Sequence, residues 1–178
     1  MLKRFAQAGA CTLVLAAVPV IAEAGVFVGG GIGKSSSSED IEDGSSKKVY
    51  VGYELDNAPV FFDLSYQDTG DTKITNTNAS VQVETMQIGA GWQIVAPSGS
   101  GVFVKAAYYS ADSTVTGPFP DQKDDNTGLS YGLGGIWMFI PKFGVRVEWE
   151  RIPGVEHFLL EDQDISLITA SAIFKLGK

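Results

Sequence analysis

The chain carries one histidine, His157, and one cysteine, Cys11, so a disulfide within it is impossible and a zinc site of several His and Cys ligands cannot be assembled. No metal and no cofactor is expected. A histidine-activated serine nucleophile needs both side chains within hydrogen-bond reach. His157 lies in Ile152-Pro153-Gly154-Val155-Glu156-His157-Phe158-Leu159-Leu160, with no serine nearby and Leu159 where a His-x-Ser spacing would place one; it reads as a solvated loop residue. Gly29-Gly30-Gly31-Ile32-Gly33 lacks the Lys-Ser/Thr helix start of a phosphate loop. Glu39-Asp40-Ile41-Glu42-Asp43-Gly44 lacks the spaced ligands and distal glutamate of a calcium loop. A formal charge of -8 argues against a nucleic-acid partner. What remains is a set of ionisable residues inside apolar, alternating segments, among them Asp63, Lys105, Arg146 and Glu148. Charges of both signs among packed side chains must pair, because an isolated one has a large desolvation cost.

The elements that carry them read as strands. Two-residue alternation recurs, whereas no segment after Gly25 shows apolar residues at helical spacing. In 48–55, Val49, Val51, Tyr53 and Leu55 oppose Lys48, Tyr50, Gly52 and Glu54. In 60–67, Val60, Phe62, Leu64 and Tyr66 oppose Phe61, Asp63, Ser65 and Gln67. Segments 86–94, 102–109 and 143–150 repeat the pattern, and 26–33, 128–140 and 164–176 bring the expected strands to eight. Connections alternate between long (34–46, 68–80, 111–127, 152–163) and short (56–59, 95–101, 141–142). The long ones hold thirteen carboxylates against three lysines. Such alternation is the habit of outer-membrane barrels, with tight periplasmic turns and longer external loops.

A soluble barrel with an apolar interior also alternates, so the choice rests on which face meets lipid. The apolar face carries Tyr66, Tyr108 and Trp149 near the long loops, and Tyr53, Trp92, Phe139, Phe143 and Phe174 near the short turns. These read as two interfacial girdles. The other face mixes Gly, Ser and Gln with charges, which suits a narrow, filled lumen. Residues 1–24 combine the basic start Lys3-Arg4, an apolar run over 10–21 and the small-residue site Ala22-Glu23-Ala24; they read as a cleaved signal peptide, leaving 25–178 as the barrel domain. Cys11 sits within the apolar run rather than after it, which does not fit a lipid anchor.

Gly144-Val145-Arg146-Val147-Glu148-Trp149-Glu150-Arg151, then Asp164-Ile165-Ser166-Leu167 and Ala172-Ile173-Phe174-Lys175-Leu176-Gly177, resemble the last two strands of the OmpA-like transmembrane domain. Its pattern there is roughly G-x-R-L-E-Y, D-x-S-L and a closing Y-R-F-G. Tyr131-Gly132-Leu133-Gly134-Gly135, Gly52-Tyr53 and Phe62-Asp63-Leu64-Ser65-Tyr66 fit the same family. The resemblance implies an all-β fold, an eight-stranded antiparallel up-and-down transmembrane β-barrel in the bacterial outer membrane, with a lumenal acid–base network that plugs or gates it. By position Asp63 matches the acidic gate residue, Arg146 its arginine partner and Glu148 the nearby glutamate. Met138 stands where the family has another lumenal glutamate and Gly89 where it has a lumenal lysine; Lys105 would supply the missing positive charge. Two-domain members continue into a peptidoglycan-binding domain, so a sequence closing at Gly177-Lys178 reads as a single-domain member.

The expected role is structural or surface-interactive rather than enzymatic: membrane integrity, with loops offered to host or phage surfaces. A low-conductance porin is the alternative, and a lipid A modifying enzyme a remote one. Expected partners are outer-membrane lipid, lipopolysaccharide and the barrel assembly machinery. Lys47, Lys48 and Arg151 fall near the outer rim and are candidate contacts for lipopolysaccharide phosphates, and Phe158-Leu159-Leu160 is an apolar triplet in an external loop.

Overall fold

Residues that alternate between apolar and polar at a period of two separate onto two faces when the chain is extended, and in a bilayer extended strands leave no backbone group unpaired only when their sheet closes. The computed structural model describes residues 25–36, 44–70, 72–73, 80–116, 122–157 and 160–176; the expected signal peptide, most of the 39–44 acidic run, Phe158 and Leu159 lie outside them. The strands are β1 (Val26–Ser36), β2 (Gly44–Glu54), β3 (Val60–Asp68), β4 (Thr72–Lys73), β5 (Ser80–Val95), β6 (Gly101–Thr116), β7 (Gln122–Ile140), β8 (Phe143–His157) and β9 (Leu160–Lys175). β4 is a two-residue strand on β5. The other eight form the wall in the order β3-β2-β1-β9-β8-β7-β6-β5, all antiparallel, and the β3–β5 pairing closes it.

The register fixes the geometry. Stepping across the ladders from Val26 to Tyr53, Phe62, Ala90, Ala106, Tyr131, Arg151 and Ser166 returns to β1 at Ser36, ten residues along. That stagger tilts the strands by the roughly 35–45° usual for small barrels, and eight strands enclose a space that side chains can fill. Short connections join β2 to β3, β5 to β6 and β7 to β8, and β1 begins and β9 ends on that same side.

Apolar residues face outward along the span. Ile32, Ile88, Trp92, Leu129, Leu133 and Ile168 are exposed, as are Tyr53, Tyr108, Phe139, Phe143 and Phe174 of the expected girdles. Tyr66 and Trp149 are half-buried instead: the Tyr66 hydroxyl donates to Glu84 Oε1 at 3.0 Å, and Trp149 packs edge-on to Tyr131 at 6.2 Å. Trp137, 71% exposed, and Tyr131 join the girdles beyond the residues expected.

One expectation fails at the outer end. Segments 111–127 and 152–163 are not long loops, because β6 runs to Thr116 and β7 starts at Gln122, while β8 reaches His157 and β9 starts at Leu160. Continuing the ladder satisfies the backbone, and inward-facing Val81, Val83, Tyr109, Ala111, Ile152, Ile165 and Leu167 form an apolar cluster inside the extended wall. Above the lipid band the pattern therefore inverts, apolar within and polar without.

Candidate functional site

Among the described residues the large enclosed region is the lumen, and its contents follow from which residues share the inward parity of each strand. On the periplasmic side the inward positions are aromatic. Phe27 meets Tyr50 and Phe61 edge-on at 6.1 Å each, and Phe61 meets Phe103 at 5.6 Å. With Ile136, Met138 and Ile173 they form a floor. Room for the rings comes from glycines on neighbouring strands: a Cβ on Gly52 would collide with the ring of Phe27, on Gly91 with that of Phe61, and on Gly134 with that of Phe103. Crowding of this kind accounts for much of the glycine content.

Above the floor lies a cluster of six charges, three of each sign. Glu148 touches all three cations, at 3.3 Å from Lys48 Nζ, 3.2 Å from Lys105 Nζ and 3.0 Å from Arg146 Nη2. Asp63 Oδ2 accepts from Arg146 at 3.4 Å and lies 3.7 Å from Lys105 Nζ. Glu150 accepts from Lys48 Nζ at 2.7 Å and from the Ser130 hydroxyl at 3.1 Å. The Arg146 guanidinium stands 4.2 Å above the Phe103 ring and 4.9 Å from that of Tyr50, so the charge layer rests directly on the floor.

Asp63, Lys105, Arg146 and Glu148 are thus brought together. Gly89 is the reason Lys105 reaches Asp63 from two strands away. A Cβ there would lie 2.6 Å from Asp63 Oδ1 and 3.3 Å from the Lys105 stem. Lys48 corrects the sequence reading: it is 2% exposed and paired inside the lumen, so it cannot be a rim contact for lipopolysaccharide. Its inward parity with Tyr50 and Gly52 overrides its nearness to the outer end. Glu150 is absent from the expected set although it shares the face of Arg146 and Glu148; that parity is the signal that finds it.

Lys47 faces outward. Arg151 donates to Asp164 at the outer rim, and this bond together with the Gly154 N–H holds the Asp164 carboxyl below its ordinary range. The backbone of His157 pairs with Leu160 at the end of β8; its side chain is outside the described set.

Residues 8–172 match the family model of the outer membrane protein beta-barrel domain. No curated protein matches the chain. Among solved structures, Neisserial surface protein A (NspA) aligns with TM-score 0.68 at 15% identity, covering 84% of this chain and 95% of that one. Ail, the attachment invasion locus protein of Yersinia pestis, aligns with TM-score 0.63 at 14% identity, covering 86% and 99%. The outer membrane enzyme PagL aligns with TM-score 0.51 at 12% identity, covering 83% and 98%. At such identities the likeness concerns the fold, which serves surface proteins and an enzyme alike. A family match over nearly the whole chain, on a closed barrel with an apolar outer band and a filled lumen, leads to one conclusion: the chain belongs to the outer membrane protein beta-barrel domain family, and its place is the bacterial outer membrane.

Proposed function

We propose that this protein is a non-conducting, non-enzymatic barrel that supports the outer membrane and presents its outer hairpins to surface partners. The observation that carries the reading is the lumen, filled on three levels by an aromatic floor, a neutral charge cluster and an apolar outer cluster. A low-conductance porin would need an open path through all three, and the charge network acts as a plug rather than a gate. Lipid A modification finds no support, since His157 has no serine near it in sequence.

Toward lipid, Lys47 and Arg151 remain the candidate contacts for lipopolysaccharide phosphates, and exposed Lys34 on β1 joins them in place of Lys48. Phe174, facing lipid on the last strand, supplies the outward aromatic offered to the barrel assembly machinery. Toward surface partners such as host or phage, the outer wall presents carboxylates: Asp68, Glu84, Asp112 and Asp125 stand directly opposite one another across β3, β5, β6 and β7. A partner for that wall would be cationic. The test of closure is swelling of proteoliposomes in isotonic small sugar: vesicles with the folded protein should swell no faster than empty ones, and swelling that scales with protein content would defeat the reading.

A further inference from the structure

The β7–β8 ladder climbs from the periplasmic side to Tyr131, opposite Arg151, and stops there. Both strands go on, β7 to Gln122 and β8 to His157, yet none of residues 126–130 forms a ladder pair with residues 152–154. Over this stretch β7 stays paired with β6 and β8 with β9, so the wall divides into two ribbons. The cause lies in β8. Pro153 has no N–H to give to a ladder, and Gly154 has a φ of +66°, which glycine adopts without steric cost. While β8 advances from Ile152 to Val155, β9 goes only from Ile165 to Gln163, so Pro153-Gly154 holds one residue in excess. Such a bulge bends its strand.

Two side chains stand in for the missing ladder. The Tyr109 hydroxyl donates to the Pro153 carbonyl at 2.7 Å. It passes over Gly128 of β7, where a Cβ would lie 2.7 Å from that hydroxyl. Asn126 Nδ2 donates to the Gly154 carbonyl. The two arms of the hairpin, by contrast, are tied to each other: Asp164 on β9 accepts from Arg151 and, at 3.2 Å, from the Gly154 N–H, both on β8. Ile152 and its partner Ile165 anchor the base in the apolar cluster.

We infer that the outer β8–β9 hairpin is a hinged unit. It pivots at Pro153-Gly154, its arms stay joined through Asp164 and their own ladder, and Tyr109 and Asn126 latch it to the β6–β7 ribbon. Release breaks two hydrogen bonds of modest net strength, whereas fraying the arms would break a ladder, so swinging is the easier motion. It reshapes the surface offered to a partner. The charge cluster and the aromatic floor lie on the periplasmic side of the pivot, so the lumen stays filled.

The test is residual dipolar coupling in weakly aligned micelles, with one-bond N–H and Cα–Hα values from residues 155–157 and 160–163 fitted separately from those of the barrel strands. In the wild type both sets should share one alignment tensor. In Tyr109→Phe/Asn126→Ala the hairpin set should still fit a single unit, with its alignment amplitude reduced to about 0.7 of the barrel's or lower. A tensor still shared with the barrel would show that nothing is latched, and couplings that fit no single unit would show fraying; either result overturns the inference. Should the double variant fail to fold, Asn126→Ala alone, which leaves the apolar cluster intact, must show the same separation to a smaller degree, and its absence there refutes the hinge.

Discussion

The middle and the outer end of the lumen are hidden from water equally well, but by opposite chemistry. In the middle, Lys48, Lys105 and Arg146 are buried because Asp63, Glu148 and Glu150 lie within 4 Å. At the outer end, Val83, Ile152 and Leu167 are buried because they are apolar. The lipid explains the division. Within the span the outward face supplies the apolar contact, which frees the inward face to be polar; above the lipid the outward face is wet, and apolar burial has to move inside. The two solutions respond differently to damage. A charge network depends on every member, since removing one leaves an uncompensated buried charge. An apolar cluster loses stability in proportion to what is removed.

Breaking the network at its centre should have the largest effect. Glu148→Ala strips contacts from all three cations and should cost about 3–5 kcal/mol, read from the denaturant midpoint of the heat-modifiable folded band in gels. Trimming the apolar cluster sharpens the contrast, because Ile152→Val removes one methyl group from a packed side chain and should cost only about 0.5–1.5 kcal/mol in the same assay. The smallest effect should come from a more drastic change. Lys48→Met combined with Glu150→Leu removes a charge of each sign, keeps the cluster neutral, and should leave the midpoint within about 1 kcal/mol of wild type, whereas Lys48→Met alone should be clearly destabilised. If the double variant were worse than the single one, pairing would not be what keeps the middle layer buried.

Much of the lumen is readable in the sequence because strand parity is local. Asp63, Lys105, Arg146 and Glu148 are placed on the inward face by their neighbours two residues away. The same rule places Lys48 and Glu150 there; Lys48 goes to the rim only when its distance from a loop is given more weight than its parity. The outer cluster is less readable. Ala111 and Ile152 fall in segments that locally spell loop, Val81 and Val83 lie between an expected loop and an expected strand, and only pairings such as Val83 with Ser113 and Ile152 with Ile165 show them turned inward together. The ten-residue stagger likewise depends on closure around the whole barrel, which no single segment encodes.

Single-channel recording from the wild type and Arg146→Ala in planar bilayers, after each is shown to migrate as a folded barrel, tests closure most directly. With the aromatic floor and the apolar cluster both intact, no unitary steps should be seen from either protein. Reproducible steps from the wild type that change in size or frequency in Arg146→Ala would mean that the network is a gate, and would contradict a permanently plugged lumen.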